Sequence, residues 1–399
     1  RLAPTTVLVL ALLPTRPPAP AATTRVIVLG VNHSIQLVSP QAQPAAFRAF
    51  FDRVAPDGIA IERDPDSFAR GDHYEFTYEI QYLTVPYARE AKIPLFPVDW
   101  IPPVEDQLLA FGLDLDRPPP LRPAAGFQGF LTFPDTGAIH TSLFFADQAQ
   151  SRADGRAWYS QPAAQPSRDF PRRLYLYRTS LQARRIARAA AELRGKTLLV
   201  VIGSLHKDEI EQILASDSTI SLVQPSQIGA LDSALTRRAT RQELVAIASF
   251  NLLGLQPRFG PVDWNWMAEV VHRLKESAPG PESELLEVRL LRLTNRLDGG
   301  GAVERYRQLA NATAKDISFS WTGVKFRDRV DSYFDPFGNL SVQNRARLEW
   351  ARELLLQGRR DEAARVRQVL ESELPPAQRV QLGGYWGAFV EDAAAKPSG

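Results

Sequence analysis

Aliphatic runs alternate with amphipathic segments through the first half of the chain. Five continuous aliphatic runs are typical of buried parallel strands, at residues 25–29, 58–61, 94–98, 197–202 and 219–223. Segments with apolar residues at helical spacing separate them, at residues 45–53, 73–91, 178–194 and 207–214. This alternation predicts an α/β fold, with a mainly parallel sheet and flanking helices, over residues 23–225.

Two stretches depart from this alternation. Residues 114–172 are rich in Pro and Gly and too long for a simple connection, so they predict either a lid beside the ligand crevice or a plain surface insertion. From residue 226 to 399 the apolar spacing is helical, which predicts an α-helical C-terminal domain. Residues 347–357 and 361–374 predict a helix hairpin like a tetratricopeptide unit, although a non-repeat helical domain is the alternative.

The first 22 residues have the pattern of a signal peptide. Arg1 precedes an apolar stretch at residues 7–13, and the later Ala19-Pro20-Ala21 resembles a cleavage site. No segment approaches the roughly 18 apolar residues that a membrane-spanning helix needs. We therefore expect an exported protein, periplasmic or extracellular, that is soluble after cleavage; a disordered Pro/Ala-rich tail is the alternative.

Charge and cysteine content exclude some functions. The chain has 47 basic and 45 acidic residues and no dense Lys/Arg cluster interleaved with aromatic residues, so nucleic acid is not an expected partner. The chain has no cysteine, which excludes disulfides and thiolate metal ligands.

The sequence Gly-x-x-His occurs twice, each time directly after a predicted strand. The copies are Gly30-Val31-Asn32-His33 and Gly203-Ser204-Leu205-His206. In an open parallel sheet the ligand crevice lies beyond the carboxyl ends of the strands. We therefore expect His33 and His206 to meet in that crevice, where glycine permits a tight turn and close approach to a ligand.

Two carboxylates are predicted at the ends of other strands, Glu62 after the second and Asp99 after the third. Imidazoles and carboxylates can hold a divalent catalytic metal that activates water. The same groups can also work without metal, with one histidine as general base and Glu62 orienting it. The residues leave both possibilities open.

These motifs resemble those of the TraB/Tiki family, in the superfamily of the erythromycin esterases and the haem-binding ChaN lipoproteins. The resemblance covers residues 25–223 and rests on the two motifs, Glu62 and an Arg-containing helix before the second motif. It implies the α/β fold of that superfamily. It also implies a metal-dependent protease that uses Mn²⁺ or Co²⁺, with His33, Glu62 and His206 as metal ligands and catalytic residues.

The resemblance also assigns supporting residues. Glu79 and Asp99 are expected beside the central residues, although Glu79 could instead be a structural carboxylate at a helix N-terminus. Relatives carry Arg followed by Asn or Asp before the second motif, whereas here Thr179 follows Arg178. We predict Arg178 to be catalytic, as an oxyanion stabiliser or a clamp for a substrate carboxylate. We predict that Arg185 and His140 bind substrate.

Three functions are compatible with these residues. The first is an exported, metal-dependent hydrolase that cleaves a peptide or an ester bond. The second is a ChaN-type protein that binds haem or another ligand without turnover. The third is a catalytically silent interaction protein whose C-terminal helices recruit a protein partner.

Overall fold

A five-stranded parallel sheet forms the centre of the first half of the molecule. The computed structural model describes residues 22–123, 127, 138–229, 234 and 238–392. The strands are β1 (Thr24–Val31), β2 (Gly58–Ile61), β3 (Leu95–Pro97), β4 (Thr197–Gly203) and β5 (Ile220–Leu222). Their order is β3-β2-β4-β1-β5, and all pairs are parallel. The predicted α/β fold class is confirmed, and each predicted strand is present.

The strand order brings the two histidine motifs together. β1 and β4 are neighbours, and their register runs from Arg25 opposite Thr197 to Val31 opposite Gly203. Both strands are buried on both faces, which explains their continuous aliphatic sequence. β2 pairs with the other side of β4, so Glu62 follows a strand end next to the second motif.

Helices cover the sheet and form the second half of the described chain. Those of the first half are α1 (Pro44–Val54), α2 (Pro65–Ala69), α3 (Val85–Ala91), α4 (Val104–Phe111), α5 (Ala149–Ser160), α6 (Pro166–Glu192) and α7 (Ser204–Leu214). Those of the second half are α8 (Arg241–Ala248), α9 (Gln256–Phe259), α10 (Trp264–Ser277), α11 (Pro281–Leu293), α12 (Gly299–Ala312), α13 (Val342–Leu356), α14 (Arg360–Ser372) and α15 (Pro376–Trp386). Three further segments have wider π-helical turns, Glu79–Thr84, Ser249–Leu253 and Gly387–Glu391.

Two helices of the first half differ from their predicted bounds. The helix expected from residue 73 begins only at Glu79, because the Thr77 hydroxyl bonds the Tyr74 carbonyl and supports a turn instead. α6 begins at Pro166 rather than at residue 178, with proline in the first turn where its missing N–H costs no helical bond. Residues 166–172 of the predicted insertion therefore belong to α6, and residues 149–160 of the insertion form α5.

The predicted helix hairpin is present as α13 and α14. They are joined at Gly358, which has a left-handed backbone (φ 73°) that glycine adopts without strain. Leu348 and Leu370 face the interior as expected, but Ala364 is exposed, and its neighbours Ala363 and Val366 are buried instead.

The main hydrophobic core crosses the predicted domain boundary near residue 225. It contains Leu29 and Leu199 of the sheet together with Val245 of α8 and Leu286 of α11, all fully buried. The Asn251 amide also donates to the Leu37 carbonyl at 2.6 Å. A division of the chain near residue 225 would therefore expose part of a shared core.

Within the described ranges, no helix is both long and apolar enough to cross a membrane. The predicted signal peptide falls on residues 1–22, of which residues 1–21 lie outside the described chain.

Candidate active site

A cavity of about 490 Å³ opens beyond the carboxyl ends of β1, β2 and β4. This is the ligand position expected for an open parallel sheet. Four titratable side chains line the cavity: His33 after β1, Glu62 after β2, and Tyr175 and Arg178 from α6. The cavity therefore combines an imidazole, a carboxylate and a guanidinium.

Gly203, the first residue of the second motif, lies between three predicted site residues. A Cβ atom here would be 3.2 Å from Glu62 Oε2, 3.4 Å from His33 Nε2 and 3.6 Å from His206 Cδ2. The Gly203 N–H donates to Glu62 Oε2 at 2.5 Å. Glycine therefore lets the carboxylate approach the backbone between the two histidines.

Glu79 fixes the orientation of the His33 ring through the Nδ1 atom. Glu79 Oε1 lies 2.7 Å from His33 Nδ1, while Gln36 donates to Glu79 Oε2 at 2.8 Å. Because an ionised carboxylate can only accept, Nδ1 carries a proton. The Nε2 atom of His33 faces Glu62, 3.9 Å from Oε2.

The pKa of His33 is raised above its ordinary value of 6.5. Burial alone would lower this pKa, but the Glu79 carboxylate, through its charge and its hydrogen bond, and the Glu62 carboxylate outweigh burial. His33 is thus a strengthened base at the wall of the cavity.

Glu62 is an ionised carboxylate in a fixed position. Its Oε1 accepts from Arg178 Nη2 at 2.9 Å, while its Oε2 accepts from the Gly203 N–H. Burial alone would raise the pKa of the Glu62 carboxyl, but the Arg178 guanidinium, which donates to Oε1, holds this pKa well below the ordinary range.

Asp99 holds Arg178 in place. Arg178 donates to Asp99 Oδ1 from Nε at 2.8 Å and to Oδ2 from Nη2 at 2.5 Å, a bidentate pair. Tyr74 and Gln182 each donate to Asp99 at 2.7 Å. Asp99 is fully buried and does not line the cavity, so it acts on the site through Arg178.

His206 is fully buried beside Glu62 and is not part of the cavity lining. Its ring stacks on Tyr175 with centroids 4.1 Å apart. Its Nδ1 lies 2.6 Å from the Thr179 hydroxyl, which itself donates to the Tyr175 carbonyl, so Nδ1 is the protonated nitrogen. The Nε2 atom has no hydrogen-bond partner and lies 3.5 Å from Glu62 Oε1. Burial lowers the pKa of His206 below 6.5, which keeps the ring neutral.

The structure brings six of the eight predicted site residues together: His33, Glu62, Glu79, Asp99, Arg178 and His206. The other two were predicted to bind substrate, and neither lines the cavity. Arg185 donates to the backbone carbonyl of Asp99. His140 is exposed in the short turn Ala138–His140. Neither is placed to contact a substrate inside the cavity.

Sequence reasoning missed several residues of the site. Tyr175 and Thr179 position His206, Gln36 positions Glu79, and Tyr74 positions Asp99. One signal was available: Tyr175 and Thr179 lie one helical turn from each other and beside Arg178, so they share its side of α6.

The predicted metal ligands do not fit a divalent ion in this arrangement. Both Glu62 oxygens already accept hydrogen bonds, one from the positively charged Arg178 at 2.9 Å. In the described part of the chain, no group of three or more His, Asp or Glu residues is arranged to hold a metal ion. A metal bound by His33, Glu62 and His206 would lie beside the positive charge of Arg178, which opposes its binding.

No protein-family model, curated protein or solved structure was found to match this chain. Its function must therefore be inferred from the geometry of the site.

Proposed function

We propose that this chain is a hydrolase of ester or peptide bonds in which His33 is the general base. The observation that carries the proposal is the buried contact between Glu79 Oε1 and His33 Nδ1 at 2.7 Å. The other ring nitrogen of His33, Nε2, faces Glu62 in the 490 Å³ cavity. A carboxylate behind an imidazole fixes its tautomer and stabilises the imidazolium that forms when it takes a proton. Such a pair can activate water.

His33 suits the role of base better than the other two central residues. The lowered pKa of Glu62 makes it a weak proton acceptor. His206 does not line the cavity. His33 lines it, and its raised pKa makes it a stronger proton acceptor than the Glu62 carboxylate. A water molecule can contact His33 Nε2 and Glu62 Oε2 together, because the two atoms are 3.9 Å apart.

The reaction follows from these positions. His33 Nε2 takes a proton from water while the oxygen of that water attacks the substrate carbonyl, and the carbonyl electron pair moves to its oxygen. Arg178, held by Glu62 and Asp99 at the cavity wall, supplies positive charge for this oxyanion. As the tetrahedral intermediate collapses, protonated His33 returns the proton to the leaving alcohol or amine.

Metal-dependent hydrolysis, which the TraB/Tiki resemblance implies, is a second candidate. One observation favours it: the buried His206 Nε2 atom has no hydrogen-bond partner and is free to bind a cation. The Arg178–Glu62 contact opposes it.

Membership of the TraB/Tiki family over residues 25–223 is likewise a proposal, supported by the adjacent positions of the two motifs at the end of β1 and β4.

Export and a protein partner for the C-terminal helices are further parts of the proposal. The apolar stretch at residues 7–13 and the Ala19-Pro20-Ala21 site support export. Fractionation of cells that express the full chain tests it, since a processed protein outside the cytoplasm is expected.

The proposed activity can be tested with p-nitrophenyl butyrate and a mixture of unlabelled peptides, each with and without a chelator. We expect hydrolysis that survives the chelator and falls at least about 100-fold in His33→Gln. His272→Gln is the matched control, because the His272 side chain on α10 is 69% exposed and lies outside the site.

Each outcome has a distinct meaning. Turnover of neither substrate by the wild type would overturn the hydrolase proposal, and a new visible absorption band on addition of haem would then favour the ChaN-type alternative. Activity lost with the chelator and restored by Mn²⁺ would favour the metal-dependent candidate. Full activity in His33→Gln would show that another group is the base.

A further inference from the structure

Apart from His33, Glu62 and Arg178, the cavity is lined mostly by apolar residues. These aliphatic and aromatic residues belong to several separate segments of the chain. Phe76 and Leu115 lie in loops. Ala110 and Phe111 are the last two residues of α4, and Trp158 belongs to α5. An enclosed group of a ligand would therefore contact carbon atoms on several sides.

Apart from His33, Glu62 and Arg178, the described residues that line the cavity carry no charge that could pair with a charged ligand group. Among the described residues that line it, Arg178 is the only Arg or Lys, and it already pairs with two carboxylates. The Glu62 carboxylate is paired as well. Burial of a charge without a partner is costly, so the walls select against charged groups.

We infer that this cavity takes a neutral, apolar acyl group of several carbon atoms next to the bond that is cleaved. The substrate class is thus an ester or amide of an aliphatic or aromatic acid, and not one of a dicarboxylic acid or an acidic residue. The volume of about 490 Å³ lies within the usual range for sites that enclose a small organic ligand. This inference rests on the proposed function only for the position of the cleaved bond.

The test measures binding, which needs no turnover. Calorimetry on the full chain would compare three neutral ligands of increasing length, acetamide, butanamide and octanamide. Each buried methylene should tighten binding about fourfold, so octanamide should bind roughly two hundredfold more tightly than butanamide. Succinamate, which has the carbon count of butanamide and adds a carboxylate, should bind more weakly than butanamide.

A charge placed in the wall should reverse this preference. Ala110 is half-buried and lines the cavity at the end of α4, so Ala110→Lys should weaken octanamide binding and strengthen succinamate binding, each at least about tenfold. The matched control is Leu109→Lys, which introduces the same charge one residue earlier, at a side chain that is 66% exposed and outside the lining. It should leave both affinities unchanged.

The outcomes separate this inference from the proposed function. Equal affinity for the three amides in the wild type, or succinamate bound as tightly as octanamide, would overturn the apolar acyl site even if esters are hydrolysed. The expected amide series without any ester or peptide hydrolysis would support the apolar site and overturn the hydrolase proposal. Because the wild-type series decides the first question, a poorly folded Ala110→Lys protein does not prevent a result.

Discussion

Replacement of Glu79 by glutamine removes the negative charge behind His33 while preserving the size of the side chain. Glu79 is fully buried, and its carboxylate bonds both His33 and Gln36. A glutamine carbonyl can still accept from one of them, so we expect the fold to persist. The change therefore acts mainly on the charge of the pair.

The expected loss in rate follows from the strength of this bond. A hydrogen bond to a charged group contributes about 1.5–3 kcal/mol. The Glu79–His33 bond at 2.7 Å is of this kind once His33 takes a proton from water. Because about 1.4 kcal/mol corresponds to a factor of ten in rate, Glu79→Gln should lower kcat about 10- to 150-fold.

The pH dependence should change in a defined direction. His33 is active as a base when neutral, so the rate rises with pH as His33 loses its proton. Glu79 raises the pKa of His33, whereas burial lowers it. Without the Glu79 charge this pKa falls, so the rise in rate should move to lower pH while the plateau at high pH is reduced.

The assay is the pH–rate profile of ester hydrolysis for the wild type and Glu79→Gln. Glu90→Gln is the matched control, because Glu90 is exposed on α3 close in sequence. It should leave both plateau and midpoint unchanged. A Glu79→Gln profile with the wild-type midpoint and rate, in a protein with wild-type circular dichroism, would refute the role of Glu79 and with it the Glu79–His33 base.

Two further predictions concern stability. Arg178→Met leaves the buried carboxylates of Glu62 and Asp99 without their cation, so urea denaturation should show a loss of about 3–5 kcal/mol in the free energy of unfolding. An unchanged denaturation midpoint would contradict the buried ion-pair network. A chain that ends at Gly229 lacks the α8–α12 part of the main core and should be insoluble or unfold without cooperativity; a soluble, cooperative fragment would show that the α/β half folds alone.

The sheet and the centre of the site could be predicted because each depends on local sequence. Continuous aliphatic runs marked all five strands, and β1, β2 and β4 are buried on both faces as such runs require. Residues directly after parallel strands reach the same edge of the sheet. His33, Glu62 and Asp99 could therefore be assigned to the edge before their contacts were known.

The remaining features depend on packing between distant segments. α6 is 27 residues long, and which of its arginines faces the site depends on how the helix lies on the sheet, so Arg178 and Arg185 could not be separated in role by spacing alone. His140 lies in an insertion whose path has no periodic pattern. The shared core was missed because helical spacing in residues 226–399 does not show what the apolar faces pack against.

The most direct test of the central claim is an NMR titration of the histidine rings, assigned with His33→Gln and His206→Gln. The claim is that the site makes His33 a stronger base and His206 a weaker one. The account predicts that His33 titrates above its ordinary pKa of 6.5, with the proton of the neutral ring on Nδ1, and that His206 titrates below that value. A His33 pKa at or below 6.5, or a neutral ring protonated on Nε2, would contradict it.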